Sequence, residues 1–510
     1  MGNNNVARIT GILRYWSVRT PYSAALECDG QILTWRELHS VSRRWGGELR
    51  EHGLEPGDRV GYLSENSNET IVFILAALAA GCVVVPLNVR LAAAELAEIA
   101  DDAGLAAVIT DAAHVERLRP TRTALPELKV YWIGPEPPAD VTLLDLEVPA
   151  DVYTAPLPRE DVTGADDLAF LSYTSGTTGH PKAAMLTHRN FLVAAKAFAL
   201  TDDTTRADVS LLVLPLAFTG SLIASWAPIY LSGGCLVQHR RFSALATLED
   251  LSSGRVTIFY AVPVVFESIS ALPEFTAADF SSLRVMRSGG APSSPKTLRP
   301  YVDRGLPLSV GWGQTESTGV GASLLFADLE RKFGSVGVPM FGIDIRVVDA
   351  DERDAAPGVV GEILLRGESV MLGYWNAEQI TADTLVDGWL HTGDLGSLDG
   401  DGYLTLAGRS KDMLLSGGIN VYPAEIERVL TDVPGVIEAA VIGRPDERWG
   451  EVPVAFVVGV GVDVELLRLI CKRELADYKQ PKQIVLREAP LPRTMSGKIL
   501  KSQLSLGELD

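Results

Sequence analysis

Short apolar runs alternate with helix-like stretches through about the first 400 residues of the chain. The runs have the composition of buried β-strands, and the stretches between them have helical spacing of apolar residues. The clearest runs are RVGYLS, VVVPL, AAVITD, LAFLSYT, VSLLVLPL, TIFYAVP, LRVMRSGG and LSVGWGQ. Strands that alternate with helices predict an α/β fold with mostly parallel sheets flanked by helices.

One apolar stretch, residues 70–89, is uncharged and nearly long enough to span a bilayer. It reads TIVFILAALAAGCVVVPLNV, with a helix-like first half and a β-branched second half. Gly81 and Pro86 interrupt it, as expected where a buried helix leads into a buried strand. We therefore expect a helix–strand unit of the core and no integral membrane segment.

The last hundred residues differ from the rest in pattern and charge. The segment GRSKDMLLSGGINVYPAEIERVL has charged residues, a Gly-Gly turn and a helix start at Pro423, where a first-turn proline is tolerated. Residues 410–510 contain 13 Lys and Arg against 15 Asp and Glu, whereas the whole 510-residue chain has a net charge of −20. Because the chain is too long for one core, we expect a large acidic N-terminal domain and a small, nearly neutral C-terminal domain of α+β type.

Composition and charge argue against several function classes. Apolar residues make up 47% of the chain and charged residues 22%, which describes an ordinary globular protein. A net charge of −20 opposes nonspecific binding to nucleic acid, since such binding requires a basic surface. The four cysteines lie far apart, and the start MGNNNVARITG has no secretory signal. We expect a cytoplasmic monomer or homodimer without a disulfide framework.

The stretch SYTSGTTGHPK, residues 172–182, places many hydroxyls and bare backbone amides between the run LAFLSYT and a lysine. A strand, a Gly-rich turn with a lysine, and a helix beginning near Thr187 would suit phosphate, because backbone N–H groups and hydroxyls donate to phosphate oxygens. The stretch is not a Walker-type P-loop, since Lys182 does not follow Gly179 directly. A structural turn is the alternative on these residues alone.

Three of the apolar runs end in Gly-containing turns that carry polar residues. These turns are 174–179, 288–292 (SGGAP) and 311–316 (GWGQTE). Ligands of open α/β sheets lie beyond the carboxyl ends of the strands, so the three turns predict one shared crevice. Any one of them by itself could be a simple turn.

Five ordered motifs, YTSGTTGHPK, GWGQTE, GWLHTGD, GRSKD and PRTMSGK, resemble those of the adenylate-forming superfamily over essentially the full chain. That superfamily includes acyl-CoA synthetases, amino-acid adenylation domains and luciferases. Within it, SGGINVYPAEIE and PRTMSGKILK are most similar to acyl- and aryl-CoA ligases. The resemblance implies that ATP with Mg²⁺ converts a carboxylic acid into an acyl-adenylate and pyrophosphate, and that a nucleophile such as CoA then accepts the acyl group.

The resemblance also assigns the phosphate-binding residues. Thr315 would contact the α-phosphate, and Glu316 would bind Mg²⁺, since a hard carboxylate suits a hard cation. Lys182 would lie near the β- and γ-phosphates. Those phosphates would be held by the loop residues Thr174, Ser175, Gly176, Thr177 and Thr178. The alternative for Glu316 is a solvated surface charge.

The nucleoside would be bound by residues of three motifs. Trp312 would pack on adenine, and Asp394, helped by Arg409, would accept both ribose hydroxyls. The adenine pocket would be completed by the turn Gly290, Ala291 and Pro292. As alternatives, Trp312 could be core packing, and Asp394 could be a turn former or a helix cap.

The catalytic lysine that the resemblance implies belongs to the C-terminal domain. Lys498 of PRTMSGK would bridge the substrate carboxylate and the α-phosphate during adenylation, where a cation between two anions can stabilise the transition state. Outside its motif, Lys498 would be interpreted as a surface lysine.

The family rotates its small domain between the two half-reactions, which implies a hinge. Lys411 stands at the hinge position, although it could equally belong to a solvated linker. Rotation would bring the Gly417-Gly418 loop in place of Lys498, to line the tunnel of the nucleophile. We expect an N-terminal adenylation domain, a hinge and a mobile C-terminal lid domain, with the boundaries 1–408, 409–411 and 412–510.

Two departures from the family pattern concern the acyl pocket. Many acyl-CoA ligases have an aromatic–His pair after the Leu-Pro strand end, whereas this chain has LPLAFTGSLIASW, with Ala217 and no histidine. Amino-acid adenylation domains have an aspartate nearby, and its absence argues against an α-amino acid as the activated acid. A roomy apolar pocket is suggested by the small residues Gly319, Gly321, Ala322 and Ser323. The predicted pocket residues are Phe218, Thr219, Gly289, Gly311 and Gly319.

The missing histidine leaves the acceptor open between two hypotheses. The first is an acyl- or aryl-CoA ligase for an apolar fatty, alicyclic or aromatic acid. The second is a ligase that transfers the same adenylate to an amine, such as an amino acid, and forms an amide. A third hypothesis, a non-catalytic nucleotide-binding relative, is opposed by the presence of Lys498 and Glu316. A luciferase-type oxygenase has the least support, because nothing in the chain suggests handling of O₂.

Overall fold

The computed structural model describes residues 8–139, 141–144, 146–153, 163–174, 181–416, 419–446, 448–493 and 499–504. Several helices begin at a side-chain cap; Thr34, for example, accepts a hydrogen bond from the N–H of Glu37 and opens the second helix. The α-helices are α1 (Ile9–Arg19), α2 (Trp35–Glu51), α3 (Asn68–Ala80), α4 (Ala93–Ala103), α5 (Arg119–Ala124), α6 (His188–Thr201), α7 (Ala227–Ser232), α8 (Ala244–Leu251), α9 (Pro263–Ser270), α10 (Pro295–Val302), α11 (Phe326–Leu329), α12 (Glu378–Thr384), α13 (Pro423–Thr431) and α14 (Val464–Glu474).

The strands form four sheets, and the core consists of apolar side chains from both the strands and the helices. In chain order the strands are β1 (Ala24–Cys28), β2 (Gln31–Thr34), β3 (Arg59–Leu63), β4 (Val83–Pro86), β5 (Leu105–Asp111), β6 (Lys129–Ile133), β7 (Thr142–Leu143), β8 (Leu168–Thr174), β9 (Lys182–Thr187), β10 (Val209–Leu212), β11 (Cys235–Gln238), β12 (Ile258–Ala261), β13 (Val285–Ser288), β14 (Leu308–Gly313), β15 (Gly321–Leu324), β16 (Val338–Pro339), β17 (Ile343–Val348), β18 (Gly361–Gly367), β19 (Leu385–Val386), β20 (Trp389–Leu398), β21 (Leu404–Arg409), β22 (Leu414–Ser416), β23 (Ile419–Val421), β24 (Val436–Asp446), β25 (Gly450–Gly459) and β26 (Gln483–Arg487).

Two large sheets contain all eight of the apolar runs that the sequence identifies as strands. The first has seven strands in the order β7-β6-β5-β3-β4-β8-β9, and the second has nine in the order β16-β15-β14-β13-β12-β10-β11-β1-β2. Neighbours inside each sheet are parallel, and antiparallel pairs occur only at the edges. The predicted α/β fold with mostly parallel sheets flanked by helices is confirmed.

A third sheet differs from the predicted strand–helix alternation, which was expected to continue to about residue 400. Its order is β17-β18-β20-β19, with β21 paired to β20, and all of its pairs are antiparallel. Short Asp- and Gly-containing turns join β19 to β20 and β20 to β21, as antiparallel neighbours allow, and a longer connection that contains α12 joins β18 to β19. The alternation therefore ends near residue 340.

The apolar stretch 70–89 forms the helix–strand unit that its sequence indicates. Helix α3 ends at Gly81, which adopts a φ of +86°, and the chain enters the buried strand β4 directly afterwards. Glu69 is the one residue of α3 that is not buried. Over the described ranges, no helix combines the length and apolarity needed to cross a bilayer.

The C-terminal region folds around apolar clusters of its own. Strands β22 to β26 form a sheet of order β23-β22-β25-β24, with β26 beside β25, and helices α13 and α14 pack on it. The two clusters in this region contain only residues between Leu414 and Leu504. Helix α13 begins at Pro423, as predicted. The boundaries 1–408, 409–411 and 412–510 stay predictions.

Two adjacent glycines of α2 provide a matched test of the packing between α2 and α3. A Cβ added to Gly46 would lie 3.0 Å from the carbonyl oxygen of Ala76, whereas a Cβ on Gly47 would meet nothing within 4 Å. We expect Gly46→Ala to lower the free energy of unfolding by about 1–3 kcal/mol, since the helices must separate. We expect Gly47→Ala to raise it by about 0.5–1 kcal/mol through helix propensity. Thermal melts of the two variants should therefore shift in opposite directions, and shifts of the same sign would contradict this account of the contact.

Candidate active site

The predicted phosphate loop joins two antiparallel strands and does not lead directly into a helix. Thr174, the last residue of β8, pairs with Lys182, the first residue of β9, and its hydroxyl donates to the Lys182 carbonyl at 3.3 Å. Helix α6 starts only after β9, with Thr187 as its cap. The expected strand–turn–helix order is therefore wrong in detail, because residues 182–187 continue the sheet. Phosphate held by this loop would therefore be bound without the help of a following helix N-terminus.

Two of the predicted turns leave neighbouring strands of the nine-stranded sheet. SGGAP follows β13, and GWGQTE begins within β14, which pairs with β13 in parallel. A Cβ added to Gly289 would lie 3.2 Å from the carbonyl oxygen of Gly311, so the two turns approach each other closely. Gly290 adopts a φ of +76°, which permits the sharp exit from β13. The adenine-pocket candidates Ala291 and Pro292 lie on the same edge of the sheet, and Pro292 is exposed.

The phosphate loop is the third of the predicted turns. Residues 371–375 connect it to the two turns that leave β13 and β14. The chain pairs there with β9, since the Met185 N–H donates to the Gly373 carbonyl at 2.9 Å. The Tyr374 hydroxyl donates to Glu316 Oε1 at 2.9 Å, and Lys182 Nζ lies 5.8 Å from the centre of the Tyr374 ring. Burial, reinforced by the Glu316 carboxylate, raises the pKa of Tyr374, so its hydroxyl remains a donor. The structure thus brings Lys182, Thr315 and Glu316 to one edge.

Asp394 is buried at this edge and accepts from three side chains. Its Oδ1 lies 2.6 Å from Arg409 Nε, and its Oδ2 accepts from Trp312 Nε1 at 3.0 Å and from Gln314 Nε2 at 2.8 Å. Charge-assisted bonds of this kind are stronger than neutral ones. The network joins β14, β20 and β21 and orients the indole of Trp312.

The match to known proteins covers both parts of the chain. Residues 13–375 match the family described as AMP-binding enzyme, and residues 425–498 match the AMP-binding enzyme C-terminal domain. The chain belongs to the AMP-binding enzyme family. This confirms the predicted resemblance to adenylate-forming enzymes.

Individual relatives of this AMP-binding enzyme match along nearly their whole length. A feruloyl-CoA synthase from an Amycolatopsis species is 38% identical over 496 residues, which are 96% of this chain and 97% of that protein. The ATP-bound structure of MatB from Rhodopseudomonas palustris has a TM-score of 0.87 and 31% identity, with 97% of each chain covered. An o-succinylbenzoate CoA synthetase from Bacillus subtilis, in complex with its acyl-adenylate intermediate, has a TM-score of 0.83 and 30% identity over 97% of each chain.

The predicted acyl pocket of this AMP-binding enzyme lies beside the predicted α-phosphate contact. The hydroxyl of Thr219 is 3.2 Å from that of Thr315. The carbonyl of Phe218 accepts from two backbone N–H groups at the start of a π-helix, Ser221–Trp226. π-Helical turns are frequent at functional sites. The π-helix thus begins two residues after the predicted pocket residue Thr219.

The expectation of a roomy pocket behind Glu316 is wrong at Gly321. A Cβ there would lie 2.4 Å from the Trp312 carbonyl oxygen and 2.9 Å from Trp312 Cε3. The missing side chain is needed for the close approach of β14 and β15, and it leaves no open space. Gly319 has a φ of +76°, and a Cβ on it would meet Ile223 and Phe198 at 3.6–3.9 Å. The small residues after Glu316 are therefore not by themselves evidence of open space.

Several predicted residues lie outside the described residues of this AMP-binding enzyme. They are Ser175, Gly176, Thr177, Thr178, Gly417, Gly418 and Lys498. Ile499, which follows Lys498, pairs with Arg493 in an antiparallel bridge. The predicted hinge residue Lys411 is exposed in a short 3₁₀ helix directly after β21. The roles assigned to all of these residues stay predictions.

Sequence analysis missed three side chains that the tertiary structure brings to the site. Tyr374 contacts Glu316, Gln314 contacts Asp394, and Arg287 is buried directly before SGGAP. Gln314 lies within GWGQTE, and Tyr374 follows the glycine of LGYW. The sequence around each of these residues gives no sign of the carboxylate that it contacts. Arg287 carried a signal, since a charge inside the apolar run LRVMRSGG is unusual for a buried strand.

Proposed function

We propose that this protein activates an apolar carboxylic acid with ATP and transfers the acyl group to CoA. The observation that carries the proposal is the convergence at one edge of the lysine of the phosphate loop, the Thr315–Glu316 pair and the Asp394 network. A carboxylate is a poor acylating agent because its leaving group would be oxide. Adenylation replaces that leaving group with AMP, and pyrophosphate is released. The same edge also borders the predicted acyl pocket through Thr219.

Positioning and charge neutralisation supply the catalytic effect expected of this site. Both substrates are anions, so cations must hold the carboxylate of the acid against the α-phosphate. Lys182 lies near the predicted β- and γ-phosphate loop, and Lys498 would meet the reacting oxygens. Thr315 would donate a hydrogen bond to the α-phosphate from the mouth of the acyl pocket. The Asp394 network would fix the ribose and, through Trp312, the adenine.

Glu316 is the residue we propose to hold Mg²⁺. Its carboxylate is half-buried, accepts a hydrogen bond from Tyr374, and forms no ion pair with any lysine or arginine that the structure describes. A carboxylate oxygen is the ligand type that Mg²⁺ prefers, and the ion usually keeps several waters and phosphate oxygens besides. When bound, Mg²⁺ neutralises charge on the phosphates.

Loss of the Tyr374 hydroxyl should change the Mg²⁺ concentration that the reaction requires more than it changes the maximal rate of pyrophosphate release. We expect Tyr374→Phe to raise the Mg²⁺ concentration that gives half-maximal pyrophosphate release by about 3- to 10-fold, because a net hydrogen bond to a charged group contributes about 1.5–3 kcal/mol and only part of it orients Glu316. The maximal rate at saturating Mg²⁺ should change little. Tyr403→Phe, which removes a hydroxyl that contacts Arg331 at the surface, is the control. Equal Mg²⁺ requirements in both variants would contradict the role of Tyr374.

CoA is favoured over an amine as the acceptor. Two of the matched relatives are named as a CoA synthase and a CoA synthetase. The test is carboxylate-dependent pyrophosphate release over a panel of apolar acids, followed by incubation of each active acid with CoA or with mixed amino acids. Mass spectrometry should detect a thioester and no amide. An amide formed while CoA is ignored would replace this proposal with the amide ligase and would make the sequence at Ala217 and Phe218 the mark of a changed acceptor.

A further inference from the structure

An ion pair between Arg287 and Asp202 is buried behind the predicted acyl pocket. The two side chains are 4% and 1% exposed. Arg287 Nη2 donates to Asp202 Oδ1, and the Tyr260 hydroxyl donates to Asp202 Oδ2. Arg287 Nε donates to Ser309 Oγ at 3.2 Å. We call these four residues, Arg287, Asp202, Tyr260 and Ser309, the Arg287 cluster.

A stabilising effect is a weak explanation for the Arg287 cluster. A buried ion pair can usually be replaced by apolar residues of similar volume without loss of stability, because both ions lose their hydration. One nitrogen of the guanidinium, Nη1, is buried and has no hydrogen-bond partner within the described part of the chain. Since buried donors are nearly always paired with protein, ordered water or a ligand, this N–H group is available to an acceptor that enters the site.

A second unpaired polar group lies on the same face of the sheet. Tyr260, Arg287 and Ser309 are register neighbours on β12, β13 and β14, and a Cβ on Gly311 would lie 3.3 Å from Arg287 Cδ. Ser323 of β15 is the antiparallel partner of Gly311, so its side chain has the same direction. Its Oγ is also buried without a partner in the structure as described. Gly311 therefore has an unpaired donor on one side and an unpaired hydroxyl on the other.

The predicted acyl pocket approaches this face from the α-phosphate end. Thr219, which touches Thr315, precedes the π-helix that carries Ile223, and Ile223 lies against Gly319. Phe198 of α6 contacts the same glycine, and the guanidinium of Arg287 lies 5.6 Å from the centre of the Phe198 ring. The chain of contacts from the reacting end therefore leads past Phe198 to Arg287.

We infer that Arg287, assisted by Ser323, selects an acid that carries a neutral oxygen at the end remote from its carboxylate. The inference rests on the proposed function, and it names the substrate class of that same pocket. Arg287 Nη1 would donate to the oxygen of a hydroxyl, ether or carbonyl group, and the Ser323 hydroxyl would complete its hydrogen bonds. The rest of the acid is apolar, as Ile223 and Phe198 require.

A neutral oxygen fits better than a second carboxylate. Asp202 already balances the charge of Arg287, so another buried carboxylate would leave one negative charge without compensation. A purely apolar end would leave Nη1 and Ser323 Oγ without partners, as they are among the residues that the structure describes. Sites that hydrogen-bond a substrate group reject the analogue that lacks it far more strongly than apolar pockets reject an extra hydroxyl.

The test compares matched acids of equal shape in the pyrophosphate-release assay. Phenylacetic, 3-phenylpropionic and cinnamic acids are each offered with a para-hydroxyl, a para-methyl or a para-carboxyl group, so that three pocket depths are sampled. We expect kcat/KM to be at least 10-fold higher for the hydroxyl than for the methyl member of the best series, and the dicarboxylic acid to be poorest. An equal or better rate with the methyl member, or a preference for the dicarboxylic acid, overturns the inference.

Variants separate this inference from the proposed function. Ser323→Ala removes one small hydroxyl and should lower the hydroxyl-over-methyl preference several-fold, whereas Ser369→Ala, at another buried serine whose hydroxyl has no partner among the described residues, should leave it unchanged.

The double variant Arg287→Leu and Asp202→Leu removes both charges together, so that neither remains buried alone. It should abolish the preference while para-methyl acids still support pyrophosphate release. An unaltered preference in the double variant overturns the role of Arg287. Absence of release with every acid of this panel, and with fatty and alicyclic acids as well, would overturn the proposed function itself.

Discussion

Asp394→Asn should lower kcat/KM for ATP by about 100-fold, mostly through a higher KM. The isosteric amide keeps the shape of the side chain but replaces one acceptor oxygen with a donor. Arg409 and Trp312 donate to opposite oxygens of the carboxylate, so either orientation of the amide places its NH₂ against another donor. A charge-assisted hydrogen bond contributes about 1.5–3 kcal/mol, and losing about 2.7 kcal/mol corresponds to the 100-fold effect.

The size of the effect also depends on how Asp394 accepts the ribose. A carboxylate has about four lone-pair sites, and three of them are used here by Arg409, Trp312 and Gln314. One ribose hydroxyl can therefore add to the network, whereas a second must take the place of one of these donors. We expect ATP to release the Gln314 amide, because it carries no charge and also donates to the Thr392 carbonyl at 2.9 Å.

The control for this substitution is Asp399→Asn. Asp399 pairs with Lys332 at 2.6 Å, at the surface, and surface pairs contribute little. Its KM for ATP should match that of the unchanged protein. Isothermal titration with ATP, without the acid, separates binding from chemistry. An Asp394→Asn protein that binds ATP within threefold of the unchanged protein would remove Asp394 from the nucleotide site.

Lys498→Ala should slow acyl-adenylate formation by about 100- to 1,000-fold. Removing one preorganised donor from a developing anion costs about 2.7–4 kcal/mol in comparable sites, and Lys498 would serve two anions. The second half-reaction should be nearly unaffected, because the resemblance implies that the small domain rotates Lys498 away before the thiol attacks. The variant should therefore still form thioester from a chemically supplied acyl-adenylate and CoA.

Lys501 offers a matched control for Lys498, because it lies three residues further along the same segment. Its Nζ is 2.7 Å from Glu427 Oε1, within the C-terminal domain. Lys501→Ala should lower domain stability slightly and leave the rate of adenylation within about threefold. The Lys498 assignment fails if both lysine variants form the adenylate at the same rate. It also fails if Lys498→Ala slows both half-reactions equally.

Sequence alone determined the α/β class, the helix–strand unit at 70–89 and the family. Fold class followed from the alternation of apolar runs and helical spacing, which are local properties of the chain. The family followed from five short motifs whose order and spacing are unusual. Candidate nucleotide-site residues could be named because each stands inside such a motif, and their roles stay predictions. Thr187 shows the limit of local patterns: the helix start near it was correct, but the strand β9 before it was not predicted.

Tertiary structure alone decided which side chains meet across the sheets. Tyr374 reaches Glu316 from 58 residues away, and Arg287 meets Asp202 across 85 residues, so no local pattern records either contact. Composition predicts open space at Gly321, but the Trp312 carbonyl fills that space, because residue size does not tell whether a neighbour approaches. Periodicity and motifs encode what a residue does within its own element, whereas contacts between elements depend on the path of the chain.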